Sequence, residues 1–261
     1  MRSRPDARDL SGVLLLDKPG GMSSNYALQR AKRLFRARKA GHTGTLDPLA
    51  TGLLPVCLGD ATKFGAYLLD SDKGYRTEVR LGERTDTGDA DGQIVERRPV
   101  REMREADILE VLQRFSGAQV QIPPMYSALK RDGRPLYELA RAGIAVDRPP
   151  RNIVIHSITM QQWSRESLTL EVLCSKGTYI RVLAEDIGNA LGCGGHVRTL
   201  RRTRVGPFSI ADATAMDFLE GCSEPERDGL LLPTDSLLQG LPRVDLDSSS
   251  SRRFGHGMAV D

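Results

Sequence analysis

The segment Gly41-His42-Thr43-Gly44-Thr45-Leu46-Asp47-Pro48-Leu49-Ala50-Thr51-Gly52 gathers three glycines, a proline, a histidine and an aspartate in twelve residues. Glycine and proline there impose an irregular backbone. Asp47 admits two readings. It either forms an Asx turn ahead of Pro48, or holds a carboxylate where the backbone must approach a ligand closely. By itself His42 reads as a loop histidine. Tyr75 opens an alternating stretch and reads as a strand tyrosine. Arg181 falls near a helix start, where positive charge opposes the dipole, a weak sign of a specific partner.

Other motifs fail on inspection. Ser127-Ala128-Leu129-Lys130 matches S-x-x-K, but its companion motifs are missing. Asp89-Ala90-Asp91-Gly92 resembles a calcium loop, yet Arg98 stands where the twelfth-position glutamate is needed. Gly192–Gly195 lacks the Lys-Ser/Thr of a phosphate loop and reads as a helix C-cap and turn. The histidines His42, His156, His196 and His256 are scattered, and no metal-ligand spacing joins them to a cysteine. No cofactor or metal is expected.

Charge is distributed unevenly. The net charge of +3 conceals +6 over residues 1–63, +4 over 176–206 and −6 over 209–261. A basic body with an acidic tail points to a polyanionic partner. The densest run, Arg30–Lys39, holds six cations and no acid. It is either a solvated helix face or a phosphate-contacting face, and two other basic segments favour the latter.

The elements that must position these residues follow from pattern. Gly12–Leu16 is a short buried strand, closed by a turn at Asp17–Gly21. Ala27, Ala31, Leu34 and Phe35 have helical spacing, and Ser23 or Ser24 is the cap. Residues 41–60 read as loop, 75–81 as a half-buried strand and 82–93 as an acidic connection. A helix is marked by Ile108, Leu109, Leu112 and Phe115. Residues 121–151 are rich in Pro, Arg and Tyr and should bulge from the body. Strands follow at 152–158 and 168–174, then a helix capped by Thr178 and running to Ala190, and a strand over 197–208. The alternation predicts an α+β fold, a mixed sheet with helices on its faces.

Size and composition allow one large domain or two small ones. The 261 residues are 39% hydrophobic and 27% charged, with a mean hydropathy of −0.33 and no run long enough to cross a membrane. Four cysteines without a CxxC pair, and no secretory signal, predict reduced thiols and a cytoplasmic location.

Several segments resemble the bacterial tRNA pseudouridine-55 synthases of the TruB family. They are LLLDKPGGMSSN (14–25), KAGHTGTLDPLATGLLPVCLGDATK (39–63), GYRTEVRLGERTDTGDADG (74–92), PPMYSALKRDGRPLYELARAG (123–143) and CSKGTYIRVLAEDIG (174–188). They stand in family order across most of residues 12–206. The resemblance implies conversion of uridine 55 in the tRNA T-loop to pseudouridine without a cofactor. It implies a mostly antiparallel sheet carrying a basic insertion at 124–150. Asp47 would be the essential carboxylate, Tyr75 the ring stacking on the base, and Arg181 the partner of Asp47. His42 would help extrude the base, with Tyr179, Leu200, Lys18, Lys63 and Lys130 contacting substrate. Residues 1–10 are expected to be a flexible tail and 11–240 the catalytic domain. Residues 241–261 match only the beginning of the family's C-terminal RNA-binding domain; truncation and absence of that module both stay open. The partner implied is the tRNA T-arm, for a monomer with no obligate protein partner and no membrane.

The chemistry agrees with this assignment. A base buried in a folded loop must be flipped out, at a cost of about a few kcal/mol. Stacking on an aromatic ring returns roughly 1–3 kcal/mol. The carboxylate must be ionised whether it attacks C1′, attacks the base or assists proton removal at C2′, and the sequence leaves these roles open. In the last, Tyr75 would be the relay. Two other functions compete with it: a guide-dependent rRNA pseudouridine synthase subunit, and an RNA chaperone without catalysis. The 123–143 segment favours the stand-alone enzyme over the first, and the intact Asp47, Tyr75 and Arg181 argue against the second.

Overall fold

A computed structural model of the chain describes residues 7–260. The first half runs β1 (Gly12–Lys18), α1 (Ser24–Leu34), β2 (Ala40–His42), β3 (Thr51–Leu58), α2 (Gly65–Leu69), β4 (Lys73–Leu81), β5 (Glu83–Thr85), β6 (Ile94–Arg97), α3 (Glu105–Arg114) and β7 (Gly117–Gln121). The second half runs β8 (Lys130–Arg131), β9 (Arg134–Pro135), α4 (Leu136–Arg141), β10 (Arg151–Trp163), β11 (Ser167–Cys174), α5 (Ile180–Ala190), β12 (Gly195–Val205), β13 (Phe208–Ser209), β14 (Thr214–Ala215), α6 (Met216–Gly221), α7 (Glu224–Asp228) and α8 (Ser248–Gly255).

Ten strands form one mixed sheet in the order β14-β1-β3-β12-β4-β11-β10-β7, with β2 on β3 and β13 on β12, while β5–β6 and β8–β9 are separate two-stranded sheets. Pairings are antiparallel except β1 with β14 and β3 with β12. This is the expected α+β architecture. The apolar run of β1 is buried on both faces. Leu14 and Leu16 join the larger core beneath α1 and α5, while Val13 and Leu15 join a second core with Leu68, Phe208 and Leu237. Period-two side-chain alternation divides one strand between two cores.

Several expectations need correction. Residues 41–60 are not all loop, because Thr51–Leu58 is a buried strand between β1 and β12. Its glycine and proline obscured an otherwise apolar run. Thr178 does not cap α5; its Oγ1 donates to the Ser175 carbonyl. Tyr179 is the cap residue, and the Gln121 side chain from β7 accepts from its amide at 2.8 Å and donates to its carbonyl at 3.1 Å. Of the expected flexible tail, residues 1–6 lie outside the described residues. Beyond them Arg8 is held, its amide donating to Arg36 O at 2.8 Å and its guanidinium bonding to Asp228. The 124–150 insertion joins β7 to β10 and contains the β8–β9 hairpin and α4, whose Leu136 and Leu139 are buried.

Candidate functional site

The loop between β2 and β3 carries Asp47, and its neighbours are tied down on both sides. Ser24 Oγ donates to Leu46 O at 3.0 Å and accepts from Leu46 N at 2.8 Å. Ser23 caps α1, so the two adjacent serines divide the work. On the other side Pro48 O accepts from Gly21 N at 2.9 Å. Lys18 Nζ donates to Pro19 O and Met22 O at 2.8 Å each, with Pro48 O at 3.4 Å. Asp47 itself is left half-buried between these anchors.

Arg181 meets Asp47 through two nitrogens, Nε to Oδ2 at 2.9 Å and Nη2 to Oδ1 at 3.3 Å. The same guanidinium donates to Thr87 O at 2.7 Å and Tyr126 O at 2.6 Å, and Asp89 Oδ2 lies 3.7 Å from Nε. Arg181 therefore joins three separate loops, and a planar fork of donors suits that task. Burial pushes the Asp47 carboxyl above its ordinary value; the Arg181 guanidinium pulls it down, and Asp89 pushes it further up.

Beneath the loop lies Arg202, whose guanidinium reaches Leu53 O and Gly44 O. Gly44 and Gly52 both adopt positive φ, and a Cβ on Gly52 would stand 2.3 Å from Arg202 O. Only glycine fits where β3 and β12 approach so closely. Tyr75 is half-buried opposite Arg202 in the β4–β12 register. Burial pushes its phenol up, against a pull from Arg202. His42 ends β2 with Nδ1 buried and unpartnered; burial, then Arg202, push its imidazole down, so it is neutral near pH 7.

The structure thus brings Asp47 and Arg181 into direct contact and gathers Tyr75 and His42 around Arg202. Lys18, expected at the substrate surface, is fully buried, and burial brings its ammonium down to about 8. Its three backbone acceptors make it a brace for the loop. Leu200 is buried in the larger core. Tyr179 is half-buried at the start of α5, its phenol pushed up by burial. Lys63 and Lys130 are exposed, and Lys63 pairs with Asp60 at 2.7 Å. Sequence reasoning missed Arg202, Asp89 and the clamp made by Ser24. In sequence Asp89 belongs to the failed calcium loop, and Arg202 is one of several arginines in a basic strand. Among the described residues no group of His, Cys, Asp or Glu side chains could hold a metal ion.

This fold recurs in solved structures. The chain aligns with one chain of a Cbf5–Nop10–Gar1 complex at a TM-score of 0.73 and 28% identity, covering 98% of this chain and 73% of that one. It aligns with a chain of an H/ACA RNP bound to a substrate RNA containing 2′-deoxyuridine at a TM-score of 0.70 and 27% identity, covering 95% and 67%. The fold and site define the catalytic body of a pseudouridine synthase. Residues 32–180 match the TruB family pseudouridylate synthase N-terminal domain, and 181–239 match the tRNA pseudouridylate synthase B C-terminal domain. Proteins called tRNA pseudouridine synthase B share 57% identity in Ralstonia pickettii, over 98% of this chain and 82% of the relative, and 55% in Chromohalobacter salexigens, over 98% and 84%. The chain belongs to the TruB family of pseudouridylate synthases. The boundary between the two family models falls inside α5, and β12 beyond it is a central strand of the main sheet.

Proposed function

We propose that the protein converts uridine 55 in the tRNA T-loop to pseudouridine, with Asp47 as its essential carboxylate. The observation that carries this reading is the two-point grip of buried Arg181 on half-open Asp47. It supports an oriented carboxylate held by a guanidinium and exposed enough to meet a flipped base. Substrate class rests on the tRNA named in the relatives' descriptions.

Tyr75 stacks on the flipped uracil, Tyr179 lines the pocket, and His42 helps displace the base from the loop. A phenol pushed up by burial is a poor proton acceptor, which favours stacking over a hydroxyl relay. Leu200 and Lys18 support the pocket wall and the loop from behind, while Lys63 and Lys130 meet phosphates. The enzyme uses no cofactor and acts as a cytoplasmic monomer on the T-arm. Residues 11–240 make the catalytic domain, and 241–261 begin an RNA-binding module. The higher identity to the tRNA enzymes than to the Cbf5 chains favours a protein acting without a guide.

One assay tests this reading: incubating the protein alone with an unmodified tRNA transcript and mapping pseudouridine. Modification at position 55 is expected; none, or modification only with added guide RNA, would sink the proposal. The 124–150 insertion closes on the RNA as an ordering arm. Its amide exchange should slow several-fold when tRNA is added, and equally strong protection without RNA would mean a preformed wall.

A further inference from the structure

Arg202 is 1% exposed, the largest of the fully buried side chains. Its Nε donates to Leu53 O at 2.8 Å and its Nη2 to Gly44 O at 3.2 Å. Among the described residues no carboxylate pairs with it; of the titratable groups acting on it only the neutral Tyr75 phenol favours its charge. A guanidinium keeps its proton under such conditions. Burying a charge without a counter-charge is costly, and an apolar side chain of similar volume would be cheaper at this position. A core filler does not explain an arginine here.

Its surroundings suggest what does. The Cα of Arg202 faces Tyr75 on β4 and Gly52 on β3. Gly44, whose carbonyl it holds, precedes Asp47 by three residues. Its side chain therefore ties the strand behind the loop to the loop itself, while its backbone pairs with the strand of the proposed stacking ring. The nearby Asp47–Arg181–Asp89 group sets two carboxylates against one guanidinium, so it contributes no excess positive charge.

We propose that Arg202 is a positioning residue of the pseudouridylation site, fixing the Gly44–Asp47 loop against Tyr75 and supplying an unneutralised positive charge behind the base. This rests on the function proposed above. When C1′–N1 breaks heterolytically, its electron pair stays on N1 and the detached uracil is an anion. That charge persists until C5 bonds to C1′; the neutral adduct then loses its C5 proton and gains one at N1. A fixed cation in a water-poor site stabilises the charge as it develops. Being buried, Arg202 acts on the base through its field and through Tyr75, without touching it.

The test uses the full chain with Arg202→Met, Arg202→Gln and Arg202→Lys. Single-turnover pseudouridine formation on a tRNA transcript and tRNA affinity are measured. The His42 imidazole is titrated by NMR without RNA. Arg202→Met should slow the single turnover at least a hundredfold, leave tRNA affinity within threefold and raise the His42 pKa. Arg202→Lys should recover at least tenfold of the lost rate and keep His42 low. Arg202→Gln keeps donors for the two carbonyls without the charge, so it substitutes if the Met variant does not fold; at least a thirtyfold loss is expected. A neutral variant that turns over within threefold of wild type overturns the proposal. So do Met, Gln and Lys variants that are equally slow with an unmoved His42 titration, since that pattern marks a structural strut. If wild type itself leaves tRNA unmodified, the proposed function fails, while the His42 titration still reads the field of Arg202.

Discussion

Around α1, Arg8, Arg30 and Arg36 meet Asp228, Glu220 and Glu224 at the surface, with side chains 24–49% exposed. Around the Asp47 loop, Arg181 and Arg202 are 4% and 1% exposed, and backbone carbonyls take most of their donors. The first region holds the densest run of positive charge in the sequence. The second draws one arginine from a basic strand and one from a helix start. Yet in the dense run Arg30 and Arg36 are already paired with the acidic C-terminal part of the same chain, which leaves Lys32, Arg33, Arg38 and Lys39 as the cations for a phosphate-contacting face there. Exposed pairs of that kind contribute about 0–1 kcal/mol each. A buried charge whose partner is removed costs roughly 3–5 kcal/mol. Charge density along a sequence measures how readily a segment is solvated, whereas the burden on each charge depends on where folding places it.

Removing the carboxylate from the buried cluster should have the largest effect. Asp47→Asn keeps size and fold, so tRNA affinity should stay within a few-fold while pseudouridine formation falls by more than about a thousandfold. A variant within tenfold of wild type would remove Asp47 from the chemistry and leave the two regions alike. Next comes Arg181→Lys, which keeps charge but cannot hold Asp47, Thr87 O and Tyr126 O together. Turnover should fall roughly a hundredfold, an effect of misplacement. Unchanged single-turnover rates would show that geometry in the cluster is unimportant.

A third effect is smaller and depends on pH. Burial brings the Lys18 ammonium from 10.5 to about 8, so between those values the unfolded chain binds more protons than the folded one. Wild-type stability should therefore rise with pH across that window relative to Lys18→Met, at up to about 1.4 kcal/mol per pH unit. Denaturant melts of both proteins at pH 8, 9 and 10 check this, and parallel curves would mean the ammonium is better solvated than its burial implies. The smallest effect belongs to the surface seam. Glu220→Gln or Glu224→Gln should change unfolding free energy by less than about 1 kcal/mol. A larger loss in thermal melts would show that the seam locks the C-terminal segment onto α1, erasing the contrast.

Local signals in the sequence established much of this protein. Alternation and apolar runs marked β1, β4, β10, β11 and β12, because side-chain periodicity reports which face of a strand is buried. The glycines and proline around Asp47 marked an irregular loop, because their backbone restrictions act within a residue or two. The resemblance of short motifs carried the family and the Asp47–Arg181 pairing, which the structure shows as a direct two-nitrogen contact. Tertiary structure alone decided the rest. It made Lys18 a buried brace instead of a surface contact, gave Arg181 its carbonyl acceptors at Thr87 and Tyr126, and placed Arg202 under the loop without a counter-charge. Apart from the Lys18 bonds to Pro19 and Met22, these outcomes depend on contacts between residues 30–158 positions apart, and on desolvation, which belongs to the packed chain. No local pattern encodes how deeply a charge will be buried, because burial is set by what the remaining strands and loops bring against it.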